Sequence, residues 1–135
     1  CFDILHRGHI TYLAQAKDFG SKLIIGLNTD RSVKALNKGD NRPINNENDR
    51  AFQLAALSFT DGLILFDEDT PLSIITKIQP DVLVKGGDYN THQEDPQQKD
   101  YIVGAREVKA NGGKVVTIPL VKGYSTTNII TQIKS

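Results

Sequence analysis

The sequence predicts an α/β fold, a doubly wound parallel sheet of about five strands with helices on both faces. Two observations predict it. Short, nearly continuous apolar runs such as Leu23-Ile24-Ile25 and Val82-Leu83-Val84 have the pattern of strands covered on both sides. Between such runs lie segments whose apolar residues recur at helical spacing, so strand and helix alternate along the chain. Crossovers between parallel strands take one hand, which leaves a Rossmann-like arrangement as the simplest topology. The 135 residues suit a single domain, 1–135, with one core.

The elements follow in order. Cys1-Phe2-Asp3-Ile4-Leu5 reads as the tail of a first strand whose upstream half lies outside the sequence, so the chain is expected to be a fragment or trimmed domain of a longer polypeptide. A helix starts at His6, with Ile10, Leu13, Ala14, Ala16 and Phe19 as its apolar stripe and Gly20 as its stop. Lys22 to Leu27 is a buried strand, too brief for a helix, and Thr29 or Asp30 caps a short helix through Leu36. Asn37 to Asn46 is polar and broken by glycine and proline, the pattern of a surface loop.

Asn46, with Asp49 after it, caps a helix that carries Ala51, Leu54, Ala55 and Leu57 and ends near Ser58 or Phe59. Leu63 to Phe66 is a strand, Pro71 opens a helix through Ile78, and Asp81 to Val84 is another strand. A polar loop runs from Asp88 to Asp100; its part from Asn90 to Lys99 is expected to be a mobile surface insert, with a substrate lid as the alternative. Ile102, Val103, Ala105 and Val108 form a helix stopped by Gly112-Gly113. Lys114 to Ile118 is a β-branched strand, and Ser125 to Ile133 a terminal amphipathic helix.

Composition narrows the function. Sixteen Lys and Arg balance 16 Asp and Glu, so no global basic field favours nucleic acid and no polybasic tail favours a membrane surface. Any anion must be bound locally. A single cysteine excludes an internal disulfide, and no stretch approaches the roughly 20 apolar residues of a membrane span, so a cytoplasmic setting is the simplest.

The chemistry is concentrated in His6-Arg7-Gly8-His9. Two imidazoles straddle a strand-to-helix turn, Gly8 removes a Cβ that would keep a ligand from the backbone, and the helix start offers free N–H groups to an anion. Neither acidic nor thiol partners stand nearby, so zinc ligation is disfavoured and no metal-ligating side chain is assigned. At the other end, Ser125-Thr126-Thr127 opens the last helix, where hydroxyls and N–H groups suit a phosphate, although an ordinary cap has the same composition. Lys85 follows an apolar strand and precedes Gly86-Gly87, which places a cation at a carboxyl strand end, where such sheets bind ligands. Arg50 lies in a helix start, where a basic residue opposes the dipole and so has another task, such as contacting an anion.

Phe2-Asp3 with His6-Arg7-Gly8-His9 resembles the HxGH signature of the small nucleotidylyltransferases, and Gly123-Tyr124-Ser125-Thr126-Thr127-Asn128-Ile129-Ile130 resembles their second motif. Between these, Leu27 to Val33, Arg42-Pro43-Ile44-Asn45, Asp69-Thr70-Pro71 and Pro80 to Tyr89 are similar to the D-glycero-β-D-manno-heptose 1-phosphate adenylyltransferases. Ile102 to Ala105 and Ala110 to Gly113 continue the likeness over nearly the whole chain. Two departures stand out: Lys122 precedes Gly123, where this branch more often has an acidic residue, and the loop Asn90 to Lys99 is longer than the branch pattern.

The resemblance implies transfer of AMP from ATP to the sugar 1-phosphate, assisted by Mg²⁺, with His6, His9 and Lys85 catalytic. It implies nucleotide contacts at Cys1, Phe2, Gly8, Lys38, Arg42, Asp88, Gly123, Ser125, Thr126 and Thr127, and sugar-phosphate contacts at Asp3, Asp30, Arg50, Gly86 and Gly87. It leaves room for a homo-oligomer and for fusion to an upstream sugar kinase. A CTP-using or polyol-phosphate enzyme and a non-catalytic nucleotide-binding domain are the alternatives.

Overall fold

The structure, a computed structural model, describes residues 2–36 and 41–134. Helices α1 (Arg7–Lys17), α2 (Asp30–Ala35), α3 (Glu47–Ala55), α4 (Leu72–Ile78), α5 (Ala105–Ala110) and α6 (Thr126–Lys134) alternate with strands β1 (Ile24–Asn28), β2 (Gly62–Phe66), β3 (Val82–Gly86) and β4 (Lys114–Ile118), except that α2 and α3 are successive. The strands pair in parallel: β1 with β2 from Ile24 opposite Gly62 to Asn28 opposite Phe66, and β3 with β4 from Val82 opposite Lys114 to Gly86 opposite Ile118. The α/β class and the parallel pairing are as the sequence predicts.

The expected first strand is not formed among the described residues. Within residues 2–6 two carbonyls accept from side chains: Asn45 Nδ2 donates to Asp3 O (2.8 Å), and Thr126 Oγ1 donates to Ile4 O (3.2 Å). The described strands therefore fall into two pairs. Each pair carries its own apolar cluster. Leu13, Ile25, Leu27 and Leu54 bury the β1 side, with Phe2, Leu5 and Tyr12 packed against them. Ile75, Ile102, Ala105, Val108 and Val115 bury the β3 side.

Local chemistry explains where elements begin and end. Thr29 caps α2 by accepting from Ser32 N–H, and Asn46 caps α3 by accepting from Asp49 N–H at 2.8 Å. Helix α1 stops at Lys17, so Phe19 lies beyond it and is exposed, and the buried stripe narrows to Leu13 and Ala16 beside Gly8. Helix α5 begins at Ala105, because Gly104 takes a positive φ of 90°; Ile102 is buried from the approach to the helix instead. Helix α3 ends at Ala55, short of Ser58.

The polar loop after β3 is closed on itself. Asn90 N–H donates to Asp100 O (2.9 Å), Gln93 Nε2 to Asp100 Oδ1 (2.9 Å), and Arg106 and Lys109 reach from α5 to the Glu94 and Thr91 carbonyls. These bonds tie the segment to its own ends and to α5.

Candidate active site

His6 is the N-cap of α1. Its extended backbone (φ −140°, ψ 174°) brings Nδ1 over the helix start, where it accepts from the N–H groups of Gly8 (3.0 Å) and His9 (3.3 Å). That use of Nδ1 has a chemical consequence: the proton of the neutral ring sits on Nε2, which leaves a donor for a ligand. Burial lowers the His6 pKa from its ordinary 6.5, in favour of the same neutral form. The His9 ring stacks on it, with centroids 3.7 Å apart and planes 20° from parallel, and Phe2 meets His9 edge-on at 5.0 Å.

Gly8 is required by packing. A Cβ there would stand 2.9 Å from His6 Cε1 and 3.1 Å from Tyr124 Cβ, inside contact distance of both. The start of α6 therefore lies directly against the start of α1, with Arg7 over the Tyr124 ring at 5.9 Å. Ser125 Oγ accepts from Asn128 N–H (2.9 Å), while Thr126 is buried with its hydroxyl on Ile4 O. A cleft of about 480 Å³ opens between the two helix starts, bordered by His6, Arg7, Gly123, Tyr124, Ser125 and Asn128 and running along α6 to Gln132. Two helix N-termini and an arginine make this an electropositive place suited to an anion.

The other sequence-predicted residues separate into groups. Asp3 and Arg50 are 0% exposed and Arg42 is 8% exposed. Asp3 accepts from Arg42 Nε (2.8 Å), Ile44 N–H (2.8 Å) and Asn45 N–H (2.9 Å), while Arg50 donates to Asn45 O (3.0 Å), Asn28 O (2.8 Å) and Asp30 Oδ1 (2.8 Å). These contacts turn Asp3, Arg42 and Arg50 onto the protein's own groups and hold residues 42–46 on the end of β1, while Asp30, paired with Arg50, keeps a 33% exposed side chain beside Pro43 and Ile44. Arg50 does meet an anion, but it is the protein's own Asp30.

Lys85 stands at the end of β3 with Nζ 5.3 Å from the Tyr89 ring centroid, and neither residue borders the cleft. Asp88 is exposed, and Gly87 turns the chain at φ 112°. Thr127 is exposed beside the cleft without lining it. Cys1 and Lys38 lie outside the described residues. The arrangement thus brings His6 and Arg7 of the first motif into one cleft with the second motif, while Gly8, His9 and the lysine block do not line it.

Tyr12 and Tyr124 escaped the sequence reading. Tyr12 was legible only as one more ring in α1, yet a Cβ on Gly86 would meet its Cε2 at 3.2 Å, so α1 and the lysine block touch through it. Tyr124 lay inside a motif read for its hydroxyls.

The cleft lining contains no carboxylate, and among the described residues no group of three or more His, Cys, Asp and Glu could hold a metal. These donors do not fit a resident magnesium, which prefers carboxylate, water and phosphate oxygens. No helix among the described residues is long and apolar enough to cross a membrane.

Parallel βα units with an imidazole-bearing, anion-attracting helix start at a chain crossing define a nucleotide-handling α/β domain. The sequence model of the cytidylyltransferase-like family matches residues 1–132, and the chain belongs to that family, a class of nucleotidyltransferases. It is 53% identical over its whole length to a stretch of the bifunctional protein HldE of Methylobacillus flagellatus, of which it covers 26%. It is 54% identical over 98% of its length to HldE of Hyphomonas neptunium, covering 25% of that protein. The chain thus spans about a quarter of these relatives. A crystal structure of a lipopolysaccharide core biosynthesis protein from Thermoplasma volcanium superposes with a TM-score of 0.64 at 27% identity, covering 92% of each chain.

Proposed function

We propose that this domain transfers AMP from ATP to D-glycero-β-D-manno-heptose 1-phosphate, releasing pyrophosphate and ADP-heptose for lipopolysaccharide core synthesis. The observation that carries the proposal is His6, with His9 stacked on its ring, at the border of a cleft between two helix starts. The two HldE relatives and the Thermoplasma protein's name support the sugar branch.

The chemistry asks little of a base. The sugar phosphate is already ionised at neutral pH, so one of its oxygens attacks the α-phosphorus of ATP in line, a new P–O bond forms, and pyrophosphate leaves with the electrons of the broken one. Catalysis reduces to positioning and charge stabilisation. His6 Nε2–H and His9 contact the transferring and leaving phosphates. The α6 start at Ser125 and the Arg7 guanidinium offset the charge on pyrophosphate, and Lys85 approaches from the end of β3. Magnesium arrives on the nucleotide as part of the substrate and supplies charge neutralisation there.

The bifunctional relatives, of which the chain covers about a quarter, support a longer polypeptide, and the proposal puts a sugar kinase upstream in it and the whole in the cytoplasm. Pyrophosphate release by the full polypeptide from ATP plus heptose 1-phosphate tests the assignment. Release with CTP and not ATP would move the chain to the CTP-using reading, which the family's description favours.

A further inference from the structure

We infer that Tyr12 is a positioning residue for the transfer reaction: its ring sets the strand end that carries Lys85 against the histidine pair. The inference rests on the adenylyl-transfer reading above. Tyr12 projects from α1 one turn after Gly8. Its ring covers the backbone of Gly86, where an added Cβ would meet Cε2 at 3.2 Å and Cδ2 and Cζ at 3.4 Å. The glycine after Lys85 is therefore explained by an aromatic ring already in place and not by space kept open for a ligand.

On its other side the Tyr12 ring stacks on Phe2, with centroids 6.3 Å apart and planes 14° from parallel. Phe2 meets His9 edge-on, and His9 lies on His6. The rings form a continuous series from Gly86 to the N-cap of α1. Burial raises the Tyr12 hydroxyl pKa while hydrogen bonding from the Gly86 backbone acts against it, so the ring enters this series as a neutral phenol. The opposite side of the strand end is held by β4, through Gly87 N–H to Ile118 O at 3.0 Å. Residues 86 and 87 are thus clamped between Ile118 and Tyr12, and Lys85 moves only as that clamp allows. Lys85 and the histidine pair acquire a fixed relation through the clamp.

Tyr12→Leu keeps an apolar side chain and removes the ring. In the full-length polypeptide it is expected to lower kcat for pyrophosphate release about ten- to hundred-fold, with KM for ATP changed by less than about threefold, as for a misplaced transition-state contact. Tyr12→Phe, which keeps the ring, regains most of that loss. In a Lys85→Ala background Tyr12→Leu costs less than about threefold more, because the group it positions is gone. A purely structural tyrosine would lose the same factor with or without Lys85, and that result, or an unchanged kcat, overturns the inference. If Tyr12→Leu shows no cooperative thermal transition, Gly86→Ala takes its place, since its methyl presses on the same ring; an unchanged kcat there also overturns it. A wild-type polypeptide that releases no pyrophosphate removes the adenylyl-transfer reading itself, which is a different outcome from an active wild type that ignores Tyr12.

Discussion

Asp3 and Arg42 form an ion pair at 2.8 Å with the carboxylate fully buried and the guanidinium nearly so. The pair joins the segment before the histidine motif to the loop that follows α2, and Asn45 and Ile44 complete the carboxylate's shell. This is how a chain segment without strand pairing is held in register with the helix it feeds.

Asp3→Ala should therefore be one of the costly changes in the molecule. It leaves Arg42 buried without a counter-charge, a loss on the order of 3–5 kcal/mol. Urea unfolding reads this as a lower midpoint at similar slope. Asp3→Asn should lose less, because its side-chain oxygen still accepts from this shell.

His6 separates two tasks that one side chain performs. His6→Asn keeps an oxygen to cap α1, so stability should change by less than about 0.5 kcal/mol, whereas His6→Ala should lose about 1 kcal/mol. Pyrophosphate release should fall strongly in both, since neither retains an Nε2–H donor. Equal activity in His6→Asn and wild type would return His6 to capping alone.

The same ring sets a pH dependence. Burial holds the His6 pKa below that of the unfolded chain, 6.5, so between the two values the unfolded state binds more protons. Its contribution to stability is fully present above about 6.5 and is lost as pH falls through the lowered folded value. Protonation of Nδ1 also removes the acceptor for Gly8 and His9 N–H. Thermal midpoints measured from pH 7.5 downward should fall in wild type more steeply than in His6→Asn.

Gly8→Ala tests geometry more than stability. The methyl would meet His6 and Tyr124 at once, so the imidazole must shift, and a displacement approaching 1 Å costs about 10²-fold in rate. Steady-state kinetics beside a thermal melt would separate that loss from unfolding.

Much of this was legible in the sequence because it is local. The β-branched run Lys114–Ile118 folds as read, and the Asn46–Asp49 cap forms as its spacing requires. What stayed hidden depends on distant partners. Arg50 was recognised as out of place in a helix start, but nothing in the sequence says that its anion is Asp30 and that two carbonyls join it. Gly8 and Gly86 were both read as room for a ligand; Gly8 makes room for the His6 ring and Tyr124 Cβ, and Gly86 for the Tyr12 ring.

Adenylyl transfer by the His6–His9 pair is read by pyrophosphate release from ATP and heptose 1-phosphate in the full-length polypeptide and its His9→Ala variant. Release matched by ADP-heptose is expected in wild type, with a loss of about 10²-fold or more in the variant, the scale of removing one transition-state donor. Release that continues undiminished without His9 would contradict it.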